Sequence, residues 1–305
     1  LTLTANETAA NGVVDLQRDS GNAEINLSGS TINTGTGTFT ATISAGADKT
    51  HSGTGDIILN TVTAGALVMT NNGTTAGSDI LDSGVLTVSG TSSFTTAASD
   101  GVITLDQANA LTGAVTLNTN SSSASANATL DNGTTALNIA ASTIGGNLAL
   151  TAGGNITDSG VLTVGGTSSF RADVNNMTIT FDENHALTGA ISITTTDNED
   201  TINNDADVSI TGMNSGIELK LGTLNIKGDL SITTASTVGI SDEGVLTIHG
   251  TSTFVTSADN ATIILDSANL FSGDTNGTVD LSTQGTSGHV TLNVGASTDL
   301  RFAAS

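Results

Sequence analysis

The chemically reactive side chains of this 305-residue sequence are four histidines among 29 acidic residues. A zinc site or an activated nucleophile needs several such groups converging on one point. No histidine is followed or preceded by a carboxylate or serine at a spacing typical of such sites, and the four occupy non-equivalent positions in the repeats described below. We therefore predict four surface substitutions and no catalytic residue. They are His51, His185, His249 and His289.

One acidic segment is the best candidate for a metal site. Ca²⁺ takes six to eight oxygen ligands, which carboxylates supply. The spacing matches neither an EF-hand loop nor a nonapeptide calcium repeat. A solvated loop bulging from the chain is therefore the favoured interpretation, with a weakly bound Ca²⁺ as the alternative and no other cofactor predicted. The candidate ligands are Asp197, Glu199, Asp200, Asp205 and Asp207.

The charge balance excludes several classes of partner. The formal net charge is −23 and only six residues are basic. Nucleic-acid binding requires a basic patch that neutralises phosphates, and an anionic membrane surface would repel this chain. No apolar run is long enough to span a membrane, and no signal peptide is recognisable. We predict neither nucleic-acid binding nor membrane insertion, and we interpret the chain as a processed product or a piece of a longer protein.

One motif recurs three times and organises the sequence. It reads DSGVLTVSGTSSF at Asp82–Phe94, DSGVLTVGGTSSF at Asp158–Phe170 and DEGVLTIHGTSTF at Asp242–Phe254. A fixed internal period is the mark of a repeat architecture. We therefore divide the chain into a degenerate first repeat (1–81), two full repeats (82–157 and 158–241) and a shorter fourth repeat (242–305), all forming one continuous solenoid.

Apolar residues alternate with polar ones within each repeat, as in Leu86/Val88 and Ile103/Leu105. This period of two is typical of strands, and the Gly, Asn, Asp and Ser clusters between them indicate turns. The sequence predicts an all-β parallel β-helix whose long repeats of 76 to 84 residues each form about four coils of roughly 19 to 21 residues. A β-sandwich array and a β-propeller are alternatives, but both usually need aromatic residues and hairpin turns.

Three positions of the motif have predicted structural roles. A glycine before the VLTV strand allows a positive φ or a close backbone approach at a corner. A phenylalanine fills the interior at one corner of its coil, and an aspartate accepts backbone N–H bonds locally in its turn. The glycines are Gly84, Gly160 and Gly244. The phenylalanines are Phe94, Phe170 and Phe254. The aspartates are Asp82, Asp158 and Asp242.

The string GGNLALTAGGNITDSGVLTVGGTSSF (145–170), followed by ITFDENHALTGAISI (179–193), resembles the β-strand repeats of filamentous-haemagglutinin-like exoproteins of two-partner secretion. The resemblance covers about residues 57 to 300. It implies a right-handed parallel β-helical shaft at the cell surface or outside the cell, acting in adhesion, biofilm or contact between cells. The partners would be the chain itself, through head-to-tail or continuous stacking, and cell-surface glycans or proteins.

Three other functions are weaker alternatives. A glycan-binding or glycan-processing β-helix would line one groove with acids and bases, but the bases here are few and scattered. An ice-binding face would need threonine pairs at one position in every coil, and the pairs Thr2/Thr4, Thr38/Thr40 and Thr194/Thr196 do not recur in that way. Sequons at Asn132 and Asn155 are expected by chance in a chain rich in Asn and Thr, as is the sequon at Asn6.

Overall fold

A computed structural model describes residues 1–5, 24–43, 55–73, 77–197, 206–271, 278–295 and 300–302. All of its regular structure is β-strand, and every strand pairing given below is parallel. The chain divides into two compact units, Leu1–Leu150 and Thr151–Ser305. The division falls within one strand, β17 (Leu148–Ala152). The chain is thus an all-β parallel β-solenoid, as the sequence predicts.

The strands of unit 1 are short, with two to six residues each. They are β1 (Thr2–Ala5), β2 (Ile25–Asn26), β3 (Thr31–Asn33), β4 (Thr38–Ile43), β5 (Ile57–Leu59), β6 (Thr61–Ala64), β7 (Ala66–Asn71), β8 (Ile80–Asp82), β9 (Leu86–Val88), β10 (Ser92–Thr96), β11 (Ile103–Leu105), β12 (Ala110–Leu111), β13 (Ala114–Asn118), β14 (Ala128–Asp131), β15 (Leu137–Ile139) and β16 (Ser142–Ile144).

These strands form three ladders, because every third strand pairs with its equivalent one coil later. The first ladder is β1-β4-β7-β10-β13, the second is β2-β5-β8-β11-β14 and the third is β3-β6-β9-β12. The three-strand order changes after β14, where β13 pairs with both β15 and β16. Each coil of unit 1 therefore has three sides until that point.

The strands of unit 2 include longer ones, up to ten residues. They are β18 (Ile156–Asp158), β19 (Leu162–Val164), β20 (Ser168–Asn175), β21 (Ile179–Phe181), β22 (Ala186–Leu187), β23 (Ile191–Thr196), β24 (Val208–Ile210), β25 (Leu219–Ile226), β26 (Leu230–Thr234), β27 (Gly239–Asp242), β28 (Leu246–Ile248), β29 (Ser252–Asp259), β30 (Thr262–Phe271), β31 (Val279–Gln284) and β32 (Val290–Val294).

Unit 2 has two long ladders and one short one. The first is β18-β21-β24-β26-β29-β31, and the second is β20-β23-β25-β27-β30-β32. The short ladder pairs β19 with β22. The long strand β25 pairs with β27 through its first half and with β28 through its second. One long strand thus replaces two short ones in part of this unit.

Alternation of side chains explains why these segments form strands around a narrow core. In β10 the pattern of burial is strict, with Phe94 fully buried and its neighbours half-buried. The inward residues stack from coil to coil, so that Met69 pairs with Phe94 and Phe94 with Leu117. Because parallel strands lie about 4.8 Å apart, each apolar side chain covers the one before it and excludes water from the ladder.

The coils are longer than the predicted 19 to 21 residues. Ile57 pairs with Ile80 and Ile80 with Ile103, a step of 23 residues. Hydrogen bonds between equivalent positions span the same separation of 23. The prediction was wrong because a three-sided coil needs three strands and three turns, and the turns are not as tight as assumed. Each long repeat therefore holds between three and four coils.

The motif phenylalanines are buried, but their predicted place at one corner is wrong. Phe170 lies within β20 of the second ladder, whereas Phe254 lies within β29 of the first. The two positions are 84 residues apart, which is not a whole number of 23-residue coils. Each ring instead packs against a different partner. Phe170 contacts Phe181 with ring centroids 4.5 Å apart, and Phe254 contacts Phe271 at 6.3 Å.

We predict that Phe254→Ala lowers the free energy of unfolding of unit 2 by about 3–5 kcal/mol, because it leaves a cavity in the ladder. Val245→Ala is the matched control in the same copy of the motif, since Val245 is 39% exposed and Phe254 is 0% exposed. Urea unfolding followed by circular dichroism measures both. Equal losses from the two substitutions would contradict the packing described above.

Candidate functional site

The motif aspartates tie each coil to the next. One carboxylate oxygen accepts a backbone N–H from the residue 24 positions later, at 2.9 Å for Asp82, 3.1 Å for Asp158 and 2.8 Å for Asp242. The prediction that these carboxylates bond locally within their own turn was therefore wrong. A parallel solenoid places the following coil directly beside the turn, and its N–H groups are the nearest donors.

A second contact completes this arrangement in two copies. The other oxygen of Asp82 accepts a bond of 2.8 Å from the side-chain amide of Asn109, and Asp242 does the same with Asn269 at 2.7 Å. Each asparagine is 27 residues beyond its aspartate and is buried. We call the aspartate, the backbone N–H and the asparagine an Asx clamp.

The clamp also fixes the start of the VLTV strand. The amide oxygen of Asn109 accepts the N–H of Leu86 at 2.8 Å, and that of Asn269 accepts the N–H of Leu246 at 2.9 Å. The asparagine therefore reaches back across 23 residues while its amide nitrogen holds the aspartate. Buried polar groups need partners, and here each side-chain atom of the amide has one.

In the remaining copy a histidine replaces the asparagine. His185 lies 27 residues after Asp158 and is fully buried. Its Nδ1 accepts the N–H of Leu162 at 3.0 Å. Its Nε2 lies 3.1 Å from Asp158 Oδ2, a close contact that lacks the alignment of a hydrogen bond. The prediction of a surface histidine was wrong here, because the ring reproduces the contacts of an internal amide.

The other histidines have separate surroundings. His249 is half-buried with its Nε2 3.1 Å from Lys227 Nζ, and His289 is exposed. His51 lies outside the described residues. Of the three described histidines, His185 alone lies in a clamp. A spacing search misses His185 because its partner is found only by aligning repeats, in which Asn109, His185 and Asn269 occupy equivalent positions.

Burial sets the electrostatics of the clamps. It raises the pKa of the Asp82 carboxyl from 3.8 to about 6, although the bonds from Asn109 and from the N–H of Asp106 act in the opposite direction. Burial also lowers the pKa of His185, while the nearby Asp158 carboxylate favours the charged ring. Desolvation outweighs the hydrogen bonds at Asp82 and the nearby acidic charges at His185, so burial shifts both groups toward their neutral forms.

Other carboxylates also accept a backbone N–H from the following coil. In unit 1, Asp56 accepts the N–H of Asp79 at 3.1 Å and Asp79 accepts the N–H of Val102 at 2.8 Å. Burial raises the pKa of both carboxyls, and Asp100 adds to the effect at Asp79. In unit 2, Asp207 accepts the N–H of Asp229 at 2.8 Å. Acidic side chains of this chain thus act as structural acceptors between coils.

Close backbone approach accounts for the glycine of the motif. A Cβ on Gly84 would lie 3.0 Å from the backbone carbonyl carbon of Asn60, and one on Gly244 would lie 2.8 Å from the backbone nitrogen of Thr223. Neither glycine has a positive φ. The alternative of a left-handed backbone therefore does not apply to these two residues, and the lack of room explains why a side chain is excluded.

Only part of the predicted calcium segment can be placed. Asp197 and Asp207 are half-buried, while Glu199, Asp200 and Asp205 lie outside the described residues. Within the described ranges, no three His, Cys, Asp or Glu side chains come together as metal ligands. A helix long and apolar enough to cross a membrane is likewise missing from that part of the chain.

The motif serines are a feature that the sequence analysis did not identify. Their hydroxyl groups are buried and lack a hydrogen-bond partner, and each lies on a strand that faces aliphatic side chains. The recurring Ser before Ser-Phe or Thr-Phe was the available signal. These residues are Ser92, Ser168 and Ser252.

Threonine does form a partial column in unit 1. Thr42 pairs with Thr70 and Thr70 with Thr95 along the first ladder, on the outward side. The neighbouring column is interrupted by Val68, and Asn118 follows Thr95. The pairs therefore do not recur in every coil, which is the regularity that an ice-binding face requires.

The repeated ladders and clamps define the class of protein: a β-solenoid built from long internal repeats. The chain belongs to a family described as repeats of unknown function (DUF5649), whose model matches residues 47–118, 125–194 and 205–278. Comparison with curated proteins and with solved structures found no match.

We predict that Asp82→Ala lowers the free energy of unfolding of unit 1 by about 1–3 kcal/mol, because it removes the acceptor of the Asp106 N–H and leaves the Asn109 amide only its 3.5 Å contact with the carbonyl of Leu105. The double variant with Asn109→Ala should lose less than the sum of the single variants. Asp106→Ala is the control, since that side chain is exposed. Additive losses in the cycle would show that the two clamp residues are not coupled.

A second prediction concerns pH. Because the folded protein holds the Asp82 proton more tightly than the unfolded chain does, its contribution to stability is present below about pH 4 and is lost as the pH rises through about 6. Carboxyl-carbon NMR should give a pKa near 6 for Asp82. Urea unfolding should show a smaller loss on raising the pH for Asp82→Asn than for the parent. A carboxyl that titrates near 3.8 would contradict this.

Proposed function

We propose that this chain is a shaft segment of an extracellular or cell-surface filament of the filamentous-haemagglutinin-like type, exported by two-partner secretion. Its role is to give length and stiffness to a structure that acts in adhesion, biofilm or contact between cells. The observation that carries the proposal is the triple recurrence of the bond from a backbone N–H to a motif aspartate, which joins coils at Asp82, Asp158 and Asp242.

Stiffness is the property that these contacts favour. Within each unit, the described coils are joined by backbone ladders, by stacked apolar residues and by side-chain bonds such as that from Val102 to Asp79. Carboxylates such as those of Asp79 and Asp207 accept backbone N–H groups of the neighbouring coil. In a solenoid, stability is a sum of such nearest-neighbour terms, so every coil added brings its own share.

The charge of the chain suits an exposed filament. A net charge of −23 keeps neighbouring shafts apart and opposes lateral aggregation. The sheet edges of a solenoid favour pairing with further coils, and we therefore include the chain itself, continued or stacked head to tail, among its partners. Cell-surface glycans or proteins are the other proposed partners. We propose no catalytic activity and no resident cofactor.

Surface labelling of the source cells tests this function. Antibodies against the chain should label intact, unpermeabilised cells, and deletion of the gene should reduce attachment or cell–cell contact, with recovery on complementation. Electron microscopy of the shed material should show filaments. Label confined to permeabilised cells, uniform short rods, or turnover of a polysaccharide by the purified protein would each contradict the proposal.

A further inference from the structure

The histidine version of the clamp differs from the asparagine versions in one chemical respect. An amide keeps one donor and one acceptor at any ordinary pH, whereas an imidazole that gains a proton becomes a donor at both nitrogens. Asn269 and His185 lie in the same unit and bond to equivalent leucines, Leu246 and Leu162. Unit 2 therefore contains one clamp with a titratable imidazole at this position and one with a non-titratable amide.

The present contacts require a neutral ring. The N–H of Leu162 points at Nδ1 of His185 over 3.0 Å, so Nδ1 carries no proton in this arrangement. Nε2 then holds the single proton, next to Asp158 Oδ2 at 3.1 Å. A second proton on Nδ1 would place two donors against each other, and one of the two groups must move away.

His185 is also joined to the coil that follows. Its backbone N–H donates to Gly212 at 2.6 Å, its carbonyl accepts from Asn214 at 2.8 Å, and it forms a parallel bridge with Met213. The residue thus links Leu162 in the coil before it to the residues of the coil after it. Movement of the ring would therefore disturb contacts with both the preceding and the following coil.

The charged groups that act on the ring are all acidic. Asp158 faces Nε2 from β18, and Asp182 and Glu183 lie on the turn that follows β21. Phe181 packs against the ring in a T-shaped arrangement, with 5.6 Å between centroids, and supplies no charge. The acids favour the imidazolium, but complete burial opposes it more strongly and the pKa of His185 is lowered.

We propose that His185 is an acid-sensitive switch in unit 2. Protonation of its ring releases the N–H of Leu162 and opens the β19–β22 pairing, whereas the clamp of Asn269 stays closed. This inference does not depend on the proposed function. It concerns the folded chain itself and would hold whatever the chain binds.

The direction of the pH dependence follows from the lowered pKa of His185. The open state takes up a proton near the ordinary histidine pKa of about 6.5, before the closed state does. Acidification below that value therefore favours opening, by at most about tenfold per pH unit for one proton. At higher pH both states are neutral and the opening equilibrium is independent of pH.

Native-state hydrogen exchange, corrected for the intrinsic pH dependence, tests the switch. Peptides covering Leu162–Val164 should lose protection by several-fold between about pH 7 and pH 5. His185→Asn, which restores the amide of the other copies, should abolish this loss. Asn269→His should transfer it to the N–H of Leu246, which makes it the converse variant.

Nitrogen-15 NMR of the imidazole in the unmodified protein gives an independent answer that needs no variant to fold. The proposal expects the tautomer protonated at Nε2 and a ring that stays neutral to below pH 6.5. It is overturned if the ring titrates at or above that value, or if the parent and His185→Asn lose protection at Leu162 equally.

Discussion

The rest of this structure depends on one constraint: backbone N–H groups at the corners of a coil need hydrogen-bond acceptors in a neighbouring coil. Within a ladder the carbonyl groups of the neighbouring strand provide the acceptors, but at the corners the ladder is interrupted and donors remain. The sequence meets this need with aspartate and asparagine, whose oxygens lie close to the coil that follows, as at Asp79 and Asp82. Each such bond stabilises the fold by about 0.5–1.5 kcal/mol, whereas a buried group left without its partner costs about 1–3 kcal/mol.

This role changes the meaning of the acidity of the chain. A net charge of −23 suggests a surface covered with solvated carboxylates. Several of those carboxylates are instead partly buried between coils, where desolvation raises the pKa values of Asp56, Asp79 and Asp82. Burial there disfavours the charged carboxylates, but it holds their oxygens in place as acceptors for backbone N–H groups. The histidine at position 185 shows that the site tolerates a different side chain as long as one acceptor and one nearby donor remain in place.

The sequence alone was sufficient for the class of fold and for the repeat, because strict alternation and a recurring motif are local signals. It was insufficient for the coil length, since turns of unknown size intervene between strands of two to ten residues. The roles of Asp82 and His185 were inaccessible for another reason: their partners lie 23 to 27 residues away, and only the register of the solenoid brings them together. The burial of Phe94 could be predicted from its type, but its position within a strand could not.

The mismatch between repeat length and coil length has a consequence for display. In unit 2 the motif beginning at Asp158 places its exposed valine, Val161, just before β19, and the next copy places Val245 just before β28 on another ladder. Duplication of one long sequence repeat therefore copies a surface residue, but the copy lies on a different side of the coil. A partner that recognised the motif would meet it as separated, differently placed patches instead of a continuous stripe, and a gain of one repeat would add a new direction of approach along with a new copy.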